Sequence, residues 1–204
     1  MRWRTVWNGI TWLFLAALFL PPLAFAQSSA PCVGGRPGAP IKLEVFSDFQ
    51  CPACRSFFLE TIRPVLADYA DAGKVCVVYR EFPLPQHQHA RQAARYGHAA
   101  LELGVRQWAM VADALFLSQD QWAQDGKLDP VLARALTKAD LARLKELASK
   151  SSIDTAIDRD IALARQLQVN STPTVFITAR GKTEKIPPNV QYPILRRYLD
   201  NLLK

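Results

Sequence analysis

Ligands for a metal are scarce in this chain of 204 residues, which has four cysteines and three histidines. Structural zinc commonly takes two Cys-x-x-Cys pairs, or one pair followed by closely spaced histidines. One such pair is present, Cys51-Pro52-Ala53-Cys54, and the close histidines, His87 and His89, stand among glutamines near a helix start. That pattern argues against a metal centre and reads His87 and His89 as surface residues. A long apolar run is also missing. The stretch Ile10 to Leu20 falls short of the roughly 20 residues that a membrane-spanning helix needs. Lysine and arginine outnumber the acids to give a formal charge of +7, yet they are interspersed with Asp and Glu throughout. Nucleic-acid binding calls for basic residues gathered on one face with aromatic platforms, so a solvated, slightly basic surface is the better reading. No internal repeat is visible.

What the first residues do contain is an export pattern. Arg2 and Arg4 precede the apolar run, and Pro21-Pro22 and Ala24-Phe25-Ala26 follow it. A basic start, an apolar centre and a small-x-small end describe a secretory signal peptide over 1–26, cleaved after Ala26; an uncleaved membrane anchor facing the periplasm is the alternative. Cleavage leaves the 178 residues from Gln27 onward, enough for one domain with a real core. Export also places the thiols where disulfides form and persist.

Residues 27–40, rich in Ser, Ala, Pro and Gly, read as a flexible leader to a domain over 41–204. Ile41–Phe46 and Lys74–Arg80 are short, apolar and β-branched or aromatic, as buried strands are. Between them, from Ala53 to about Ala70, apolar residues recur at a helical period, with Pro64 expected to kink the helix. Strand, helix, strand implies a parallel pair with a right-handed crossover. From about 86 to 168 no convincing strand appears, only helical periodicity. Four or five helices are expected there, one starting at Thr137-Lys138-Ala139-Asp140, where hydroxyl and carboxylate cap free amides reciprocally. Strands resume at Thr174–Thr178 and Thr183–Ile186 around a turn at 179–182, and Tyr192 to Leu203 closes the chain as an amphipathic helix. The fold class is α/β.

A Cys-x-x-Cys at the strand-to-helix junction of a first βαβ, with Thr172-Pro173 ahead of a later ββα, resembles the thioredoxin fold. The helical block between the halves resembles the DsbA-like group of exported thiol-disulfide oxidoreductases. The likeness covers nearly all of the chain from Ile41. Phe46-Ser47-Asp48-Phe49-Gln50-Cys51-Pro52-Ala53-Cys54 and Ser171-Thr172-Pro173-Thr174 are its most specific pieces.

Chemistry follows from position. A sulfur at a helix start meets unpaired amides and the positive end of the macrodipole, which favour a thiolate at Cys51. Pro52 suits the first helical position, where no amide proton is needed. Cys51 is then the nucleophile, exchanging disulfides through a mixed disulfide, and Cys54 resolves that intermediate. Strong oxidants of the group resemble Cys-Pro-His-Cys; with Ala53 in place of the histidine, Cys51 should be less acidic and the couple less oxidising. The resemblance further implies a cis Pro173, with Thr172 offering backbone groups to an extended substrate by strand addition. It also implies a buried acid beneath the resolving cysteine, for which Glu44 is the candidate, with a partly solvated strand acid as the alternative.

Cys32 and Cys76 complete an even count, which in an exported chain suggests a second disulfide, tying leader to core strand. The alternatives are an inert buried Cys76 and a free or partner-bonded Cys32. The function expected is an exported oxidase that inserts disulfides into reduced, unfolded exported proteins. The resemblance implies a membrane reoxidant of the DsbB or vitamin K epoxide reductase-like kind, no bound cofactor and a monomer. An isomerase or reductase, towards which Thr172 points, stays open. So does a periplasmic peptide-binding or chaperone module with a passive disulfide.

Overall fold

The computed structural model describes residues 30–204, so the expected signal peptide over 1–26 lies outside the described residues. Strand β1 (Ile41–Ser47) runs parallel to β2 (Val75–Glu81), with Ile41 opposite Val75 and Ser47 opposite Glu81. On its other side β1 pairs antiparallel with β3 (Thr174–Ala179), which pairs antiparallel with β4 (Lys182–Ile186). The spatial order is β2-β1-β3-β4. Arg180 and Gly181, at φ 51° and 75°, form the two-residue turn between β3 and β4, and two positive φ values give the twist that a tight hairpin needs.

β1 is buried on both faces, which explains its almost continuous apolar character. Leu43 and Val45 point towards one core with Val77, Tyr79, Val175 and Ile177. Phe46 points the other way, towards Phe176, Ala164 and Val169. Alternation along the strand therefore assigns each residue to a side, and that assignment matters for every acid near the cysteines.

Helix α1 opens at Pro52–Phe57 and continues through Phe58–Ile62, Arg63–Val65 and Leu66–Ala70. Phe57, Phe58, Ile62 and Val65 lay its apolar face on the first core. The helix runs on through Pro64 by widening its turns on either side of it. The Arg63 amide reaches the Phe58 carbonyl and the Asp71 amide the Leu66 carbonyl, both five residues back.

Six helices, one of a single turn, fill the space between β2 and β3: α2 (Ala90–Leu103), α3 (Val105–Leu117), α4 (Gln119–Trp122), α5 (Leu128–Ala135), α6 (Lys138–Ala148) and α7 (Ser151–Gln166). The expected α6 start is present in altered form. Thr137 Oγ1 accepts from the Asp140 amide at 3.1 Å and donates to Asp140 Oδ2 at 2.9 Å, so the carboxylate binds the hydroxyl. Trp108, Phe116 and Trp122 anchor this block in the first core. Helix α8 (Tyr192–Leu202) closes the chain and inserts Leu195 and Leu199 into the same core. This is the thioredoxin-like fold with an inserted helical subdomain.

Residues 30–35, within the leader expected over 27–40, are held against the sheet. Cys32 is bonded to Cys76 with the Cα atoms 5.4 Å apart. The Val33 amide donates to the Val77 carbonyl at 2.7 Å, and the Val77 amide to the Gly34 carbonyl at 2.9 Å. Gly35 follows at φ 82°, where a Cβ would lie 1.9 Å from the Val75 carbonyl oxygen, so only glycine fits. No helix among the described residues is long and apolar enough to cross a membrane.

Candidate active site

Cys51 is the last extended residue before α1, at φ −76° and ψ 122°, with Pro52 first inside the helix. Its amide donates to the Asp48 carbonyl at 3.0 Å, and its carbonyl accepts from the Arg55 amide at 3.1 Å. Both Cys51 and Cys54 are free thiols. The Thr172–Pro173 peptide bond is cis, and the Thr172 carbonyl oxygen lies 3.6 Å from Cys51 Sγ, accepting from it when the sulfur is protonated.

These contacts set the two thiols apart. The Cys51 thiol is lowered from its ordinary 9.0 to about 5, chiefly by a hydrogen bond from the Cys54 thiol. Burial opposes that shift, while Thr172 and the amides of Cys54 and Ala53 reinforce it. Two of those donors are first-turn amides that no helical carbonyl can reach. The buried Thr172 hydroxyl has no other hydrogen-bond partner among the described residues, so it is at liberty to turn towards a thiolate. Burial above all, and then the charge on Cys51, push the Cys54 thiol well above 9.0. One sulfur is thus a ready nucleophile and the other holds its proton. A lowered value near 5 sits between the extremes of roughly 3.5 and 7.5 spanned by such pairs.

The loop carrying Cys51 is gripped from below and from the side. The side chain of Asp48, wholly buried, accepts from the Gln50 amide at 2.7 Å, the Leu84 amide at 2.9 Å and His87 Nδ1 at 2.7 Å. From the helical block, Gln119 Nε2 donates to the carbonyls of Phe49 and Cys51 at 2.7 and 3.1 Å. Gln50 reaches back, donating to the Ala123 carbonyl and accepting from the His89 amide, both at 2.7 Å. Arg55 pairs with Asp120 at 2.8 Å.

Beside the cysteines lies a groove of about 570 Å³, lined among others by Ala53, Phe57, Thr172, Pro173 and Tyr192. Its walls bring the Cys-x-x-Cys turn and the cis-proline loop together, although 118 residues separate Cys54 from Thr172 in the chain. Pro52 and Ala53 are exposed at the turn and bring no charge to it.

Glu44 is not brought to this site. It projects to the face of the sheet opposite Leu43 and Val45, where its carboxylate meets Arg80 Nε at 2.7 Å and Lys42 Nζ at 3.1 Å. Arg80 also pairs with Asp160 of α7 at 2.9 Å. The strand acid is held in an ion network, and a period of two along β1 explains why it faces away. His87 differs from its reading as a surface residue, because Asp48 holds its ring. The acid on the cysteine side is Glu81 at the end of β2, almost fully buried. Its only sequence signal was strand parity with Val77 and Tyr79. Gln119, 68 residues beyond Cys51, gave no local signal.

A family model described as thioredoxin matches residues 27–200. Disulfide bond formation protein D of Bacillus subtilis is 25% identical over 161 residues, which cover 74% of this chain and 72% of that protein. Among solved structures, DsbA2 of Pseudomonas aeruginosa is 28% identical with a TM-score of 0.64, covering 83% of this chain and 92% of that one. The alpha-DsbA1 of Wolbachia pipientis superposes with a TM-score of 0.69 at 23% identity, covering 82% and 88%.

Proposed function

The chain belongs to the thioredoxin family, as a DsbA-like thiol-disulfide oxidoreductase, and on that premise we propose that it is an exported oxidase whose Cys51–Cys54 disulfide passes to reduced proteins. The observation that carries this reading is the pairing of a Cys51 thiol lowered to about 5 with a Cys54 thiol raised well above its ordinary value. Stabilising the Cys51 thiolate stabilises the reduced form, and a couple whose reduced form is stabilised is an oxidant.

The cycle follows from the geometry. A thiolate of the substrate attacks Cys51 Sγ in the oxidised protein, and Cys54 leaves. A second substrate thiolate then attacks the substrate sulfur of the mixed disulfide and releases Cys51 as a stable thiolate. The groove and the Thr172 backbone support an extended chain lying across the turn during both steps. The export pattern of residues 1–26 supports a periplasmic setting, where disulfides form and persist. There the reduced pair needs a membrane reoxidant of the DsbB or vitamin K epoxide reductase-like type.

The test is redox equilibration of the Cys51–Cys54 pair with glutathione, alongside oxidation of a reduced, unfolded substrate. An oxidase gives a potential clearly above the roughly −270 mV of thioredoxin and somewhat below the roughly −120 mV of the strongest oxidants. A Cys51→Ser variant loses all substrate oxidation. A potential at thioredoxin's value, with disulfide reduction faster than dithiol oxidation, would replace this reading with a reductase.

A further inference from the structure

Five residues of α1 form one wall of the groove beside the cysteines: Ala53, Ser56, Phe57, Glu60 and Thr61. Their spacing of three and four is that of a single helix face, so the wall runs along α1 away from the reactive turn. The facing wall is the loop between β4 and α8. It is stiffened by Pro187 and Pro188 and tied to α1, where Thr61 Oγ1 donates to the Val190 carbonyl at 3.1 Å. The groove is therefore built before any chain enters it, and a preformed site loses less free energy to ordering.

Glu60 is the one charged residue that lines this groove among the described residues, and it is exposed. Arg63, one turn further on, is turned away to Asp113 of α3 at 3.2 Å, and no cation among the described residues pairs with Glu60. At the far end Tyr192 donates its hydroxyl to Asp68, and Asp200 and Arg196 also act on that phenol. Two acids against one cation leave this end negative as well. In a mostly apolar cleft, the few polar groups set orientation and choice. Low-dielectric walls also focus the field of a charge set between them.

The position of Glu60 fixes what it can read. It stands nine residues beyond Cys51, about 13 Å along a helix rising 1.5 Å per residue. An extended chain advances about 3.3 Å per residue, so that distance corresponds to about four residues of a bound segment. We propose that the groove selects segments carrying a lysine or arginine about four residues from the reacting cysteine, with Glu60 as the residue that recognises the cation. The inference rests on the reading above, in which an extended chain lies across the turn, and it names the class of segment that fits. Glu60 takes no part in the disulfide exchange; it acts on which chain is held there.

The experiment mixes the oxidised protein with reduced peptides in a stopped-flow instrument and measures the rate constant of mixed-disulfide formation. Each peptide has one cysteine among Ala, Gly and Ser, with one Lys or one Glu placed two, four or six residues to either side. The quantity read is the Lys-to-Glu ratio of rate constants at each position. Taken within one protein, it is unaffected by a variant that is slower overall. The peptide thiol's own acidity is the same against every variant. The parent should prefer Lys about two- to fivefold at four residues on one side, as exposed ion pairs allow, and less elsewhere. Added salt should shrink that preference. Glu60→Gln should bring the ratio close to one, and Glu60→Lys should reverse it. Glu102→Gln, which removes the same charge from an exposed site on α2, should keep the parent ratio. A parent ratio near one at every position would overturn the proposal, as would a Glu60→Gln variant that keeps the parent ratio. An equal loss in Glu102→Gln would also overturn it, by assigning the preference to net charge. A parent protein that exchanges with none of the peptides would overturn both this inference and the oxidase reading.

Discussion

Acidifying the protein should erase a measurable difference in stability between its reduced and oxidised forms. In the reduced form the folded Cys51 thiol titrates near 5, against 9.0 for an unhindered thiol. The folded value is the lower one, so the contribution is complete above about pH 9 and disappears as pH falls through about 5. At pH 7 some two units of that window have been traversed. At about 1.36 kcal/mol per unit this amounts to about 2.7 kcal/mol favouring the folded reduced protein. Cys54, raised instead of lowered, stays a thiol throughout the window and adds nothing to it. Groups that titrate alike in both redox forms cancel in the difference. Urea unfolding of the two forms side by side, from about pH 4 to 8, should therefore show the reduced form gaining roughly 3–4 kcal/mol relative to the oxidised one. Thiolate absorbance at 240 nm, followed against pH, should give the same midpoint. A difference that stays flat over those pH values would refute the argument at its root, because Cys51 would then titrate like any exposed thiol.

Two further outcomes rest on the scaffold. Replacing Cys32 and Cys76 together by serine should cost about 4 kcal/mol of unfolding free energy, as expected for a crosslink spanning a sequence separation of 44, while the Cys51–Cys54 potential stays unchanged; denaturant melts and glutathione equilibration measure both. Arg80→Met should cost about 3 kcal/mol by leaving Glu44 and Asp160 without their shared cation. That is the low end for breaking a buried pair, since Lys42 and His98 remain near the two acids, and thermal or chemical denaturation reads it directly.

Much of the architecture was legible because period and punctuation carried it. Mostly apolar runs of six and seven residues bounded by turns gave β1 and β2, helical spacing gave α1, and Pro52 beside Cys51 marked the helix start. Arg180-Gly181 marked the hairpin. What escaped was information that only tertiary contact creates. Glu44 and Glu81 are both acids in apolar strands, and choosing between them requires knowing which side of the sheet α1 covers. Gln119 has no neighbour in the chain that reveals its grip on Phe49 and Cys51. The widened turns around Pro64 likewise depend on α1 being pinned at both ends by core residues such as Phe58 and Tyr69.

The grip of Gln119 and Gln50 on the nucleophile's loop is made by amides, which bear no net charge. Salt screens exposed ion pairs such as Arg55–Asp120, and acid neutralises carboxylates, but neither reagent loosens an amide from a carbonyl. In the exported setting proposed above, the catalyst would meet whatever ionic strength its surroundings impose. With its loop clasped this way, the reactive sulfur keeps its aim in brackish and dilute media alike.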